Sequence, residues 1–254
     1  MNALLGRARR LPAVARDGWN YPARRLQAAA VDAHEGMLRL RLDPGGIDQL
    51  EREFEAAAPA LYDQLAATAR SARADEAEQR ATHPTASSTE AKKVLYVTVR
   101  ALRPDVVVET GVFNGAASTF LLAALEQNRS GRLLSFDLPD ARDALGVRLP
   151  RGLEPGWLVP SHLRHRFELV LGDIRDTLRP RLAVCGGVDV FLHDSLHTMR
   201  HMLFEYRAAW QYLKAGGVLI SDDVAWNPAF WLFTTWHRTP AVQVASLGLT
   251  RKLA

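Results

Sequence analysis

Residues 105–118 read Asp105-Val106-Val107-Val108-Glu109-Thr110-Gly111-Val112-Phe113-Asn114-Gly115-Ala116-Ala117-Ser118, and this stretch decides the fold class. The valine run is β-branched and short, which suits a strand buried on both faces. Two glycines four apart follow it, Gly111 and Gly115, and residues 116–127 beyond them are helical by composition. A strand, a glycine turn and a helix in that order open a parallel α/β sheet. Glycine permits the tight turn, and the first N–H groups of the helix are then expected to face the crevice beyond the strand.

The same alternation continues downstream. Short apolar runs at 132–137, 167–171, 188–192 and 218–221 read as further strands. Between the last two, Met199, Met202, Tyr206, Ala209 and Leu213 trace one face of a helix over 198–213. Gly216 and Gly217 are expected to stop that helix just before the next strand. Upstream, Leu50, Phe54, Ala57 and Leu61 recur at helical spacing within residues 46–80. Pro84 discourages helix before it. Ser87 with Glu90 three residues later forms a capping-box pattern, so a helix is expected from Ser87 to a stop before Pro104. The chain thus divides into a basic arm and helical cap, 1–84, and an α/β domain, 85–254.

Composition narrows the function classes. The 254 residues are 48% hydrophobic and 24% charged, near the globular average, which excludes general disorder. The net charge is +4, but Arg7, Arg9, Arg10, Arg16, Arg24 and Arg25 face only Asp17 within residues 1–25. That arm carries +5 and the remainder −1. A body built to hold nucleic acid would need Lys and Arg clustered on it, so no nucleic-acid partner is expected. Cys185 is the only cysteine, which fits a reducing, cytoplasmic compartment. No run reaches the roughly 20 apolar residues of a membrane span. The N-terminal helices are candidates for pairing subunits.

Ligands of open parallel sheets bind outside the carboxyl ends of the strands, and here those ends carry acids. The first strand ends at Glu109, the next at Asp137, and the third at Gly172-Asp173. The fourth runs into His193-Asp194-Ser195-Leu196-His197, and the fifth into Asp222-Asp223. The glycine turn is G-x-x-x-G rather than the G-x-G-x-x-G of dinucleotide sites, with Val112 and Phe113 filling the place of the middle glycine. A pyrophosphate needs close approach there, and Glu109 would repel it. Both features favour a cationic, phosphate-free cofactor. Asp137 lies about 20 residues past the turn, where an acid can accept ribose hydroxyls.

These motifs, in this order and at about this spacing, resemble the class I S-adenosylmethionine-dependent methyltransferases. Glu109-Thr110-Gly111-Val112 and Asp222-Asp223 look more specifically like a branch of metal-dependent sugar O-methyltransferases from antibiotic biosynthesis. The resemblance covers roughly residues 85–254. It implies a Rossmann-like, mostly parallel seven-stranded α/β sheet with helices on both faces, preceded by the N-terminal helical segment. It also implies S-adenosyl-L-methionine as cofactor, with Glu109 and Gly111 at the methionine end, Asp137 at the ribose and Asp173 at the adenine side. Phe113, Gly115 and Ser118 complete the candidate cofactor residues. In the metal-dependent branch Mg²⁺ is bound by acids matching Asp194, Asp222 and Asp223, although here His193 separates the strand from Asp194.

The expected reaction is methylation of a hydroxyl on a small acceptor such as a sugar or phenol. His197 and Asp194 are the candidate catalytic residues, His197 because imidazole exchanges protons near neutral pH. A structural histidine bonded to a carboxylate is the competing reading of His197. A zinc triad of His193, His197 and His201 is disfavoured, since His193 ends a strand and the three cannot share a helical face. Phe230, Phe233 and His237 read as core, and Trp226 with Asn227 as the mouth of the site or as packing. The proline-rich insertion 138–166 reads as a flap, with Arg164, His165 and Arg166 available to an anionic ligand. A nicotinamide- or nucleotide-dependent enzyme, or a non-catalytic protein of the same fold, are the alternatives.

Overall fold

The computed structural model describes residues 30–42, 46–72, 86–139, 149 and 152–253. The arginine-rich arm and the break at Pro84 lie outside the described residues. The strands are β1 (Ala30–Val31), β2 (Val106–Thr110), β3 (Arg132–Asp137), β4 (Phe167–Leu171), β5 (Val188–His193), β6 (Leu213–Ser221), β7 (Ala241–Val244) and β8 (Leu247–Arg251). The helices are α1 (Ala33–Arg39), α2 (Ile47–Ser71), α3 (Ala86–Leu102), α4 (Ala116–Asn128), α5 (Ile174–Val184), α6 (Met199–Tyr212) and α7 (Ala229–His237).

All eight strands join one sheet in the order β1-β7-β8-β6-β5-β2-β3-β4. Only β8 runs antiparallel, against β6 on one side and β7 on the other. From β2 the chain first moves outward through β3 and β4, then returns to β5 on the other flank of β2. The carboxyl ends of β2 and β5 therefore bound the crevice at a topological switch point. Pairing of Glu109 with Leu192 and of Thr110 with His193 brings the glycine turn beside the start of the 194–198 loop.

Alternation along each strand divides the core between two faces. Val107, Leu133, Val190, Val218 and Ile220 pack with residues of α1, α2, α3 and α4. Val106, Val108, Leu134, Phe136, Phe191 and Leu219 pack with α5, α6 and α7. Phe230 and Phe233 belong to that second core, as their helical spacing indicates.

The sheet has one strand more than the seven expected. The addition is β1, a two-residue strand from the N-terminal segment that pairs parallel with Gln243 and Val244 of β7. Behind it, α1 buries Ala33 and Met37, and Leu40 and Leu42 follow them into the same core. Helix α3 starts at Ala86, one residue ahead of the expected cap at Ser87. Gly216 and Gly217 do not stop a helix. Helix α6 ends at Tyr212, β6 begins at Leu213, and the glycines lie inside that strand. The β5–β6 register shifts there, and a Cβ on Gly217 would stand 2.8 Å from the Asp189 carbonyl oxygen. The glycine pair lets β6 pass its neighbour through an irregularity.

Candidate active site

Glu109 stands at the carboxyl end of β2 with no solvent exposure. Its Oε2 accepts hydrogen bonds from Ser118 Oγ of α4 and Ser135 Oγ of β3, both at 2.7 Å. Its Oε1 is buried and has no partner among the described residues. Burial pushes the carboxyl up to about 7, against the two hydroxyl bonds, and Asp137 adds to the rise. Leaving a buried carboxylate oxygen unpartnered is costly, so its setting is that of an acceptor awaiting a donor. Ser118 is fully buried, and its role is to hold Glu109.

The turn that follows is closed by the protein itself. Gly111 has φ +82°, and a Cβ there would lie 2.0 Å from the Asp194 carbonyl oxygen. Gly115 has φ +88°, and its Cβ would lie 2.7 Å from Gly156 Cα. Both glycines are needed, but for close approach of backbone to backbone. The amides of Val112 and Phe113 donate to Asp137 Oδ2 at 2.9 and 2.7 Å. Leu138 N donates to Asp137 Oδ1 at 2.7 Å. Asn114 Oδ1 takes the Ala116 amide that opens α4. Of the helix N–H groups expected to face a ligand, the first, at Ala116, is thus satisfied internally. Asp137 binds the turn, with lone pairs left for further donors. Phe113 itself adopts φ +47°, an uncommon conformation for a non-glycine residue.

Part of the insertion lies on this turn. Gly156 N donates to Phe113 O at 2.8 Å and Leu158 N to Asn114 O at 2.9 Å. Arg164 braces the segment through the Val159 and Gly156 carbonyls. Arg166 and His165 both meet Glu126. These cations serve the protein's own structure. Asp173 is exposed and caps α5, its Oδ1 accepting the Arg175 amide at 2.8 Å.

The acids after β5 and β6 converge in part. Ligand atoms of Asp194, His197 and Asp222 lie within 4.8 Å of one another. Asp223 is outside that set. It adopts φ +50°, and burial with the Asp222 charge raises its carboxyl to about 7. Asp194 is raised well above the ordinary carboxyl range by burial, then by Asp222, Asp223 and Glu109. No Lys or Arg among the described residues pairs with any of these acids. His197 is buried, with Nε2 unpartnered and 3.9 Å from Asp194 Oδ1. Burial and the nearby His193 lower the imidazole to about 4, so it is neutral near pH 7. Asp222 Oδ1 also accepts from Ser246 Oγ of the β7–β8 turn at 2.6 Å.

A second buried group supports this one, and the strand-end motifs do not reveal it. Glu205 of α6 is fully buried and accepts from Thr110 Oγ1, His193 Nδ1, Ser195 Oγ and His201 Nε2 at 2.5–2.7 Å. The two histidines and the hydroxyls hold its carboxyl far below the ordinary range despite burial. The three histidine rings do gather, with His193 centred 5.2 Å from His197 and 6.5 Å from His201. They gather beside the Glu205 carboxylate, to which His193 and His201 are bonded. The sequence signal was an acid inside the apolar stripe of α6. Asn227 is structural, donating to the His197 carbonyl and capping Ala229. Trp226 is partly exposed with its ring 5.4 Å from His197.

Residues 108–224 match a family described as a methyltransferase domain. The protein carries a methyltransferase domain over that stretch. Its fold is shared by solved methyltransferases of low sequence identity. An O-methyltransferase from Bacillus cereus, solved with S-adenosylhomocysteine, aligns with TM-score 0.54 at 14% identity, over 81% of this chain and 100% of that one. The O-methyltransferase TomG of Streptomyces achromogenes, from tomaymycin synthesis and solved with S-adenosylmethionine, aligns at 0.52 and 16%, over 76% and 90%. A methyltransferase from Geobacter sulfurreducens aligns at 0.52 and 22%, over 76% and 89%. No curated protein sequence matches significantly. Among the described residues of this methyltransferase, no helix is long and apolar enough to cross a membrane.

Proposed function

We infer that the methyltransferase uses S-adenosylmethionine to methylate a hydroxyl of a small acceptor. The observation that carries this reading is Glu109 Oε1, a buried, unpartnered carboxylate oxygen at the switch point of the sheet. It fits the ammonium of the cofactor's methionine end, which supplies three donors. When bound, the cofactor supplies an electrophilic methyl on a sulfonium. Ser118 and Ser135 orient Glu109, Gly111 lets the Asp194 backbone close against the turn, and Asp137 remains open to ribose hydroxyls. A dinucleotide gains no support, because Gly156 occupies the close-approach position at Gly115.

Asp194, His197 and Asp222 fit a divalent ion. Two carboxylates and a neutral imidazole are suitable donors, and no Lys or Arg among the described residues is bonded to the crowded acids. Such an ion would supply Lewis acidity to an acceptor hydroxyl. Without an ion, Asp194 and His197, whose Nε2 is then free, are instead the groups placed to take the hydroxyl proton. The partly exposed Trp226 offers an apolar face for a sugar or phenol ring. The acidic rim supports a small neutral acceptor over nucleic acid.

Calorimetry with S-adenosylhomocysteine tests the cofactor. Wild type is expected to bind, and Glu109→Ala to lose binding by at least tenfold; silence from the wild type removes the cofactor reading. The ion is tested separately. Activity that survives thorough chelation, or is unchanged in Asp194→Asn with Asp222→Asn, removes it.

A further inference from the structure

Helix α3 brings a cation to the acidic crevice. The link 103–105 from α3 to β2 is short, so α3 must run antiparallel to β2 with its N-terminal half at the crevice edge. From Leu102 back to Lys92 is a rise of about 15 Å along the helix. The five residues of β2 climb about 16 Å. Lys92 therefore stands level with the carboxyl end of β2, and helical side chains lean toward the helix N-terminus, which here is the crevice.

Its Nζ lies 5.4 Å from the ring centre of Tyr62 and 5.8 Å from that of Phe120. Phe120 lies in the N-terminal half of α4. On the other side Lys92 feels the charge of Asp194, whose carbonyl abuts Gly111. Among the described residues Lys92 has no ion pair or hydrogen bond. Burial lowers its amine below the ordinary value, and Asp194 acts against that. This ammonium thus sits over two neighbouring aromatic rings, level with the crevice and within reach of the Asp194 charge, without an anion bonded to it.

The methionine end of the cofactor carries an ammonium and a carboxylate on one carbon. Glu109 accounts for the first. The crevice acids would repel the second, so it requires a cation of its own. We propose that Lys92 binds the α-carboxylate of the cofactor, making the helical segment before the sheet part of the cofactor site. The assignment rests on the S-adenosylmethionine reading above. Glu109 and Lys92 together would then read the zwitterion, one charge each.

The test is calorimetry on full-length wild type and Lys92→Met with two probes, S-adenosylhomocysteine and its decarboxylated analogue. Lys92→Met keeps the length and apolar stem of the side chain. It is expected to weaken S-adenosylhomocysteine by about tenfold to a hundredfold, the range for a hydrogen bond to a charged group. The decarboxylated analogue should bind both proteins alike, and Lys92→Arg should restore part of the loss. Equal weakening of both probes, or of neither, overturns the assignment while leaving the cofactor reading intact. A wild type that binds neither probe removes both. If Lys92→Met binds S-adenosylhomocysteine normally yet fails to turn over an acidic acceptor, the cation serves the acceptor, and the assignment is likewise overturned.

Discussion

Glu109 at about pH 7 is poised between its two protonation states in the empty site. Only the carboxylate can hold an ammonium, so binding below that value must first release a proton. Affinity for S-adenosylhomocysteine is expected to fall about tenfold per pH unit below pH 7 and to level off above it; calorimetry from pH 5.5 to 8 reads the slope. Stability responds with its own sign. The folded state keeps a proton that the unfolded chain releases between about 4.5 and 7, so the apoprotein loses stability as pH rises through that window. The loss amounts to about 3 kcal/mol, and Glu109→Gln should flatten it in urea titrations. The acids themselves were legible in the sequence because strand ends are local features. Their partners were not. Asp137 turns out to be tied to the Val112 and Phe113 amides, Asp173 to a helix cap, and Asp223 to a left-handed backbone outside the cluster, with His197 in its place. Those outcomes depend on which backbone groups lie opposite, and no spacing encodes that.

Between elements, contact comes down to single atoms. Gly111→Ala would drive a Cβ into the Asp194 carbonyl, backbone against backbone, at a φ that L side chains avoid. A cost of about 3 kcal/mol or more is expected, or roughly 10 °C in melting temperature. Gly186→Ala is the control, because φ is +86° there too but nothing lies within 4 Å of the new Cβ. It should cost only about 1–2 kcal/mol of backbone strain. Glu205 binds elements in another way, joining β2, β5, the 194–198 loop and α6 through its four donors. Glu205→Gln is expected to cost about 3 kcal/mol, since a buried partner set loses its charge. Its depressed carboxyl contributes stability above the unfolded value, which is lost as pH falls through the folded one; the variant should therefore lose part of the wild type's acid sensitivity. At this scale the sequence was readable wherever a pattern was long. The helix from Ala116 and the strands at 132–137 and 167–171 fall where composition and apolar runs placed them. A two-residue strand such as β1 has no period to detect, and Gly216-Gly217 reads equally as a helix stop or a strand bulge until the neighbouring strand is in place.

For the molecule as a whole, the question is what the N-terminal segment contributes. Through β1 and α1 it reaches the far edge of the sheet from β4, and Met37, Leu40 and Leu42 are no more than 2% exposed. Arg251 of β8 donates to the Leu40 and Arg41 carbonyls, and Ala33 N to Glu90 of α3. Burying three such side chains is worth about 6 kcal/mol, comparable with the entire stability of a typical domain. Removal of residues 1–42 is therefore expected to give an aggregating or partly unfolded protein. Removal of residues 1–25 touches none of these contacts, and it takes away +5 of charge from a molecule whose crevice is lined by acids. The shorter truncation should melt within about 2 °C of the full chain, a shift of under 1 kcal/mol at this size, and should bind S-adenosylhomocysteine with unchanged affinity. Differential scanning calorimetry and titration of the two truncations separate these outcomes. A large loss of affinity in the shorter one would mean that the arginine-rich arm reaches the crevice and shares with Lys92 the task of holding an anion there.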